Sequence, residues 1–263
     1  MARYDFRSPR LFVNDALKAG AEIALEKPQG HYLTNVLRLK PGDPVLAFNG
    51  KDGEWRATVA TRGKATTLSM TEQTREQTEP TDLHYLFAPL KHERLDYMVQ
   101  KAVELGVSRL QPVLTQHTQV TRVNLERMRA NAIEAAEQCG VLTIPEIGEP
   151  LSLPRALAAR KPERLLVFCD EDAPVKDPLR ALADARESPS AMLPLTMASA
   201  GTEGSQPIAL LIGPEGGFAE DERAAVLKLT NMVQLSLGPR ILRADTAAVA
   251  ALALVQAALG DWR

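Results

Sequence analysis

Ile208-Ala-Leu-Leu-Ile212 running into Gly213-Pro214-Glu215-Gly216-Gly217, and Val233-Gln-Leu-Ser-Leu237 running into Gly238-Pro239-Arg240-Ile241-Leu242-Arg243, decide how this chain folds. Each is a short apolar run that breaks into a glycine-bearing loop and then into a helical stretch. Short apolar runs between turn signals read as buried strands of a largely parallel sheet. The first helix opens at Ala219-Glu220-Asp221-Glu222, where acidic side chains suit the positive helix end. The second is expected from about Thr246, with Asp245 or Thr246 as its cap. In an open α/β sheet the ligand crevice lies outside the carboxyl ends of the strands, which is where both loops fall. The loop at Gly213–Gly217 has neither the Lys-Ser/Thr ending of a phosphate loop nor a G-x-G-x-x-G pattern. Glu215 would repel a polyphosphate, so the loops point to a flat or cationic ligand approached by the main chain.

Around this centre the chain is ordinary in composition. Its 263 residues suit one large or two modest domains, and 45% hydrophobic with 24% charged residues is the balance of a soluble protein. The start, Met1-Ala-Arg-Tyr-Asp-Phe-Arg7, carries no apolar signal core, and the longest apolar stretch, Ala247–Val255, is too short to span a bilayer. Cys139 and Cys169 fit a reducing cytoplasm, and with the four histidines they show no metal-ligand spacing. Neither a metal nor a membrane is expected. Net charge is −2, split as 11 Lys/Arg against 8 Asp/Glu over residues 1–72 and 20 against 25 over the rest. A mildly basic front is compatible with RNA without requiring it.

Residues 1–72 read as short strands (Arg10–Val13, Pro44–Phe48, Trp55–Val59 and Thr66–Met70) with turns at Asn49-Gly50 and Asp52-Gly53. His31–Leu39 reads as a short helix stopped before Pro41-Gly42. Together these suggest a small barrel. Residues 73–81 are polar, contain Pro80 and read as a linker to a domain at 82–263. That domain begins with a strand at Leu83–Ala88 and a helix at Lys91–Leu105 closed by Gly106. A strand at Arg109–Leu114, a helix at Asn124–Cys139 and a strand at Leu165–Phe168 follow, the last ending in Cys169-Asp170-Glu171-Asp172, a third strand end expected to face the same crevice. Arg186–Pro207, rich in Ser, Pro, Gly and Thr, reads as a mobile surface insertion.

Leu211-Ile-Gly-Pro-Glu-Gly-Gly217 and Leu237-Gly-Pro-Arg-Ile-Leu-Arg-Ala-Asp-Thr-Ala247 resemble the two C-terminal signatures of the small-subunit (16S) ribosomal RNA uridine-N3 methyltransferases, of the SPOUT class. The resemblance extends over Arg10–Val13, His31–Arg38, Lys40–Asp43 and Lys91-x-x-Arg94…Lys101-x-x-Glu104-Leu-Gly106. It implies an N-terminal PUA-like barrel that binds RNA and a trefoil-knotted parallel-sheet domain that binds S-adenosylmethionine. It also implies a cytoplasmic homodimer acting on small-subunit ribosomal RNA or the ribosomal subunit. Its donor-binding residues would be Leu211, Ile212, Gly213, Pro214, Glu215, Gly216, Gly217, Leu237, Gly238, Ile241, Leu242, Arg243 and Thr246. Arg7, Arg10, Arg38, Lys40, Lys91 and Arg94 become candidate RNA contacts. Arg243 is expected to orient the uracil oxygens, with Asp245 or Glu215 taking the N3 proton. The chain departs from the family pattern at His117 and Val141, where arginine is usual, at Thr143 for another basic residue, and at Asp245 for Glu. A non-catalytic ribosome-assembly factor on the same fold is the alternative. An enzyme with a nucleotide cofactor lacks any phosphate-binding fingerprint.

Overall fold

The structure is a computed structural model that describes residues 5, 7–63, 65–120, 122–175, 177–187 and 206–262. The chain divides into two compact units, Met1–Thr78 with Ala136–Ile144 and Glu79–Ala135 with Pro145–Arg263. Most of the sequence-predicted insertion, 188–205, lies outside the described residues.

The first unit contains β1 (Arg10–Phe12), β2 (Glu22–Ala24), α1 (Lys27–His31), β3 (Pro44–Phe48), β4 (Glu54–Arg62) and β5 (Ala65–Arg75). The strands form one sheet in the order β1-β3-β4-β5-β2, parallel between β1 and β3 and antiparallel elsewhere. Leu11, Val13, Leu33, Val45, Ala47, Ala57, Val59, Leu68 and Met70 alternate inward to make its core. The expected helix at His31–Leu39 starts earlier, because Pro28 suits a first helical turn, and it continues as a single π turn, Tyr32–Val36. Arg38 then adopts φ 57, a left-handed backbone that ends the helix short of Leu39. The expected linker is also shortened. Strand β5 runs on to Arg75, whose guanidinium lies 3.6 Å from Glu54 and donates to Gly140 O at 2.8 Å. Phe12 N–H likewise donates to Glu137 Oε1 at 2.9 Å, so 136–144, with Val141 and Thr143, packs as part of this unit.

The second unit begins with β6 (Leu83–Phe87), α2 (His92–Glu104), β7 (Arg109–Leu114) and α3 (Leu125–Cys139), whose last turn belongs to the first unit. It continues through β8 (Glu146–Ile147), β9 (Leu151–Ser152), α4 (Leu153–Ala159), β10 (Leu165–Cys169) and α5 (Pro178–Glu187). It ends with β11 (Ile208–Ile212), α6 (Glu220–Leu227), β12 (Met232–Leu235) and α7 (Ala244–Ala258). Every strand pair here is parallel, in the order β12-β10-β11-β6-β7-β8, with β9 also beside β7. Both faces are covered, as parallel sheets require. Leu86, Leu166, Phe168, Ala209 and Leu211 pack on one side with Leu153, Ala156 and Val226, and α7 lies against β11 and α2. Gly106, at φ 77, closes α2 by donating to Val103 O at 3.0 Å. Helix α7 starts at Ala244, two residues before the sequence expectation, and neither Asp245 nor Thr246 caps it. Asp245 sits inside the first turn and accepts the Thr246 N–H at 2.9 Å.

Candidate active site

Strands β10, β11 and β12 are neighbours, so their carboxyl ends open onto one recess. Its wall takes Cys169–Asp172 from the end of β10, Ile212–Glu215, Gly217 and Phe218 from the end of β11, and Leu235–Gly238 from the end of β12. Arg223, Arg240, Ile241, Leu242, Ala244 and Ala247 complete it. The sequence-predicted residues Ile212, Gly213, Pro214, Glu215, Gly217, Leu237, Gly238, Ile241 and Leu242 are thus brought together. Leu211 is not among them: it is fully buried between sheet and helices, because alternation along β11 turns it into the core. Gly216, Arg243 and Thr246 do not line the recess either; Arg243, the residue just before α7, and Thr246, in its first turn, are exposed.

The glycines of the first loop serve two different ends. At Gly213 a side chain would collide with the Phe218 ring, 2.5 Å from where its Cβ would stand. Phe218 in turn meets Phe168 edge-on at 5.1 Å, so Gly213 lets an aromatic anchor the loop. Gly217, at φ 70, supplies a left-handed turn and donates to Pro214 O at 3.0 Å. Glu222 reaches back to accept the Ala219 N–H at 3.1 Å, which fixes the start of α6.

The end of β10 joins the recess, as its place at a third strand end leads us to expect; the buried tie of Asp170 to its neighbours is not legible in the sequence. Asp170 is buried and accepts from Arg223 Nε and Gln234 Nε2, each at 2.9 Å, so the strand ends are locked laterally. The Cys169-Asp-Glu-Asp172 run at a strand end was the available signal for this wall. Burial, and next the charge of Asp170, push the Cys169 thiol up to about 12. Among the described residues no cluster of His, Cys, Asp and Glu could hold a metal.

A second recess is lined by Pro89, Leu90, Lys91, Arg94, Gln119, Val120 and Glu215. Glu215 belongs to both walls, and Arg94 Nη1 lies 3.2 Å from its Oε1. Lys91 and Arg94 are therefore beside the loop that follows β11. The remaining RNA candidates lie on the first unit, where Arg7, Arg38 and Lys40 are exposed. Arg10 is different. Its side chain is 6% exposed and donates to Glu54 Oε2 at 3.0 Å and Asp5 O at 2.9 Å, which makes it a structural cation and not a phosphate contact.

Between the recesses stands the loop after β7. Gln116 N–H donates to Glu222 Oε1 at 2.9 Å, and its side-chain amide donates to both oxygens of Asp221 at 3.0 and 2.9 Å. His117 Nδ1 contacts Gly216 O at 3.0 Å and Gly217 O at 3.1 Å.

A family model described as an RNA methyltransferase domain matches residues 77–256, and one described as an RNA methyltransferase PUA domain matches residues 25–66. The chain is 30% identical over 249 residues to the ribosomal RNA small subunit methyltransferase E of Rickettsia conorii, covering 94% of each chain. The crystal structure of a ribosomal RNA small subunit methyltransferase E from Neisseria gonorrhoeae bound to S-adenosyl methionine superposes with a TM-score of 0.79. It is 26% identical, and the match covers 98% of this chain and 100% of that one. A putative methyltransferase from Legionella pneumophila, in complex with the same cofactor, gives a TM-score of 0.75 at 28% identity, covering 96% and 98%.

Proposed function

The chain belongs to the RNA methyltransferase family, and from that premise we propose that it methylates N3 of a uridine in small-subunit ribosomal RNA with S-adenosylmethionine as donor. One observation carries the reading: a recess of three parallel strand ends and a recess bearing Lys91 and Arg94 share Glu215 as a common wall.

The first recess fits the donor. Asp170, Glu171, Asp172 and Glu215 outnumber Arg223 and Arg240 on its wall, which suits a cation, and no phosphate cradle is present. Ile241, 90% exposed, and Leu242 offer apolar surface beside it for a flat ring. When bound, S-adenosylmethionine supplies a methyl group on a positively charged sulphur. What remains for the chain is orientation, and holding two reactants in line is worth up to roughly 7–11 kcal/mol of barrier.

Lys91 and Arg94 suit the phosphates of an entering strand. Uridine N3 lies on the pairing edge, so the target base must be unpaired or turned out. Glu215, held at the junction by Arg94, takes the N3 proton directly or through water. Arg243, next to the recess residue Leu242, stabilises negative charge developing on the uracil oxygens. In the first unit Arg7, Arg38 and Lys40 add phosphate contacts.

Two further features belong to this reading. The chain passes from β11 across β10 to lay down β12 and returns with α7 against β11, a route that supports the trefoil threading. Ala250, Ala253 and Leu254 of α7 border an apolar groove with Val175, Pro178 and Leu237, which supports a homodimer built on this helix. Sedimentation at micromolar concentration is expected to give twice the chain mass.

The test is a map of base modifications on small-subunit ribosomal RNA from cells with and without the gene, paired with calorimetry of the donor. One uridine losing its N3 methyl group, with heat on donor addition, is the expected result. A donor that gives no heat would reduce the chain to an RNA-binding assembly factor.

A further inference from the structure

The contact between His117 and the donor-side loop is a device the chemistry above does not use. Both partners of its Nδ1 are carbonyl oxygens, Gly216 O at 3.0 Å and Gly217 O at 3.1 Å, and a carbonyl only accepts. Nδ1 must therefore carry the proton and share it between the two. The fit is close on the carbon side as well: a Cβ on Gly216 would stand 3.2 Å from His117 Cβ, so the bare glycine is what lets the ring come this near. Gln116, one residue earlier, holds Asp221 and Glu222 in the first turn of α6. The stretch Gln116-His117 thus holds the far half of the β11 loop and the start of α6 behind it. Beyond it the same loop supplies Gln119 and Val120 to the recess of Lys91 and Arg94.

We propose that His117 is a positioning residue for the donor loop: its Nδ1–H pins the Gly216 and Gly217 carbonyls so that Gly213–Gly217 keeps the shape that receives the donor. The inference rests on the donor-site reading given above. It assigns a role to the histidine standing where the resemblance expects arginine, and the role needs only one N–H at one atom.

Position-matched amides test it. The Nδ2 of Asn stands where Nδ1 of His stands, whereas the amide of Gln reaches the Nε2 position. His117→Ala should weaken donor binding about tenfold, the scale of one lost shared hydrogen bond to a preorganised loop. The loss should fall on the KM for donor far more than on kcat. His117→Asn should restore affinity to within about threefold, and His117→Gln should not. In the free protein, at a pH where the ring is neutral, nitrogen NMR should find the His117 proton on Nδ1.

Three results overturn the proposal: alanine binding the donor as the wild type does, Gln rescuing as well as Asn, or a neutral ring protonated on Nε2. Thermal melts of each variant separate local loop loss from unfolding. Failure of the donor-site reading looks different, because the wild-type protein itself would then take up no donor, while the NMR measurement would still report on the contact.

Discussion

Glu215 is the residue on which the two recesses depend together. It ends one wall, begins the other, and faces Arg94 at 3.2 Å with both side chains 44% exposed. An ion pair so open to solvent adds little to stability, so its use is in placing a carboxylate. Glu215→Gln keeps the shape and removes the acceptor charge. Single-turnover methylation should fall roughly 10²–10⁴-fold, the range for a positioned acid or base, while calorimetry shows donor affinity within about tenfold of the wild type. Equal turnover in the variant would move the proton to another group. Cys169, in the wall of the first recess, is held as a thiol with its pKa pushed up to about 12, whereas Cys139 is exposed. Iodoacetamide at pH 8 should therefore modify Cys139 in the folded protein and reach Cys169 only after denaturation, because the thiolate is the nucleophile. Peptide mass mapping reads this directly.

Among the elements of the second unit, α7 packs against α2, α5 and β11. Ala244, Ala248, Ala251, Leu252 and Val255 bury one face, and small side chains let the helix approach α2 and β11 closely. Gln256 is the polar exception, fully buried. Its Nε2 donates to Leu105 O at 2.6 Å and its Oε1 accepts the Asp261 N–H at 3.1 Å, so one amide closes the ends of both α2 and α7. Gln256→Leu leaves both the half-buried Leu105 carbonyl and the Asp261 N–H without their partner, a loss of about 2 kcal/mol. For a chain of this size that lowers the Tm by roughly 4–8 °C. Scanning calorimetry checks it, and donor affinity of the surviving folded protein should be unchanged, since the recess lies at the other end of the helix.

For the molecule as a whole, opposite ends of the second sheet do opposite work. The carboxyl ends form the recess; at the amino ends Arg164 donates to Asp82 Oδ2 at 2.9 Å, lies 2.8 Å from its Oδ1, and donates to Ile208 O at 3.0 Å, joining the starts of β6, β10 and β11. Burial by itself would raise the Asp82 pKa. Hydrogen bonds from His84 and Arg164, with the Arg164 charge, outweigh that and hold it far below the usual carboxylate range. A depressed folded-state pKa contributes stability above the unfolded value, about 4, and that contribution is lost as pH falls through the folded value. Asp82→Asn should thus be less stable than wild type at pH 7 by about 1 kcal/mol, a figure kept small because the Asp82 side chain is 47% exposed. The gap should shrink steadily below about pH 4. Urea titrations at pH 7, 4 and 2.5 measure it, and a gap constant with pH would show that the pair contributes nothing through charge.

What the sequence determined is everything carried by local pattern. Short apolar runs marked β3, β6, β10 and β11, helical spacing with Gly106 marked α2, and two glycine loops marked where the ligand is expected. Local pattern failed where a neighbour in space overrode it: at Arg75, kept in a strand by Glu54 and Gly140, and at Arg10, drawn inward by Glu54. The order β12-β10-β11-β6-β7-β8 was decided by tertiary structure alone. That order carries out the expected meeting of Asp170–Asp172 with loops some forty and seventy residues further on, and it alone brings His117 within 3.0 Å of Gly216. Strand order is settled by which apolar faces pack and which edges pair across long stretches of chain, and those energies have no counterpart in any short window of residues.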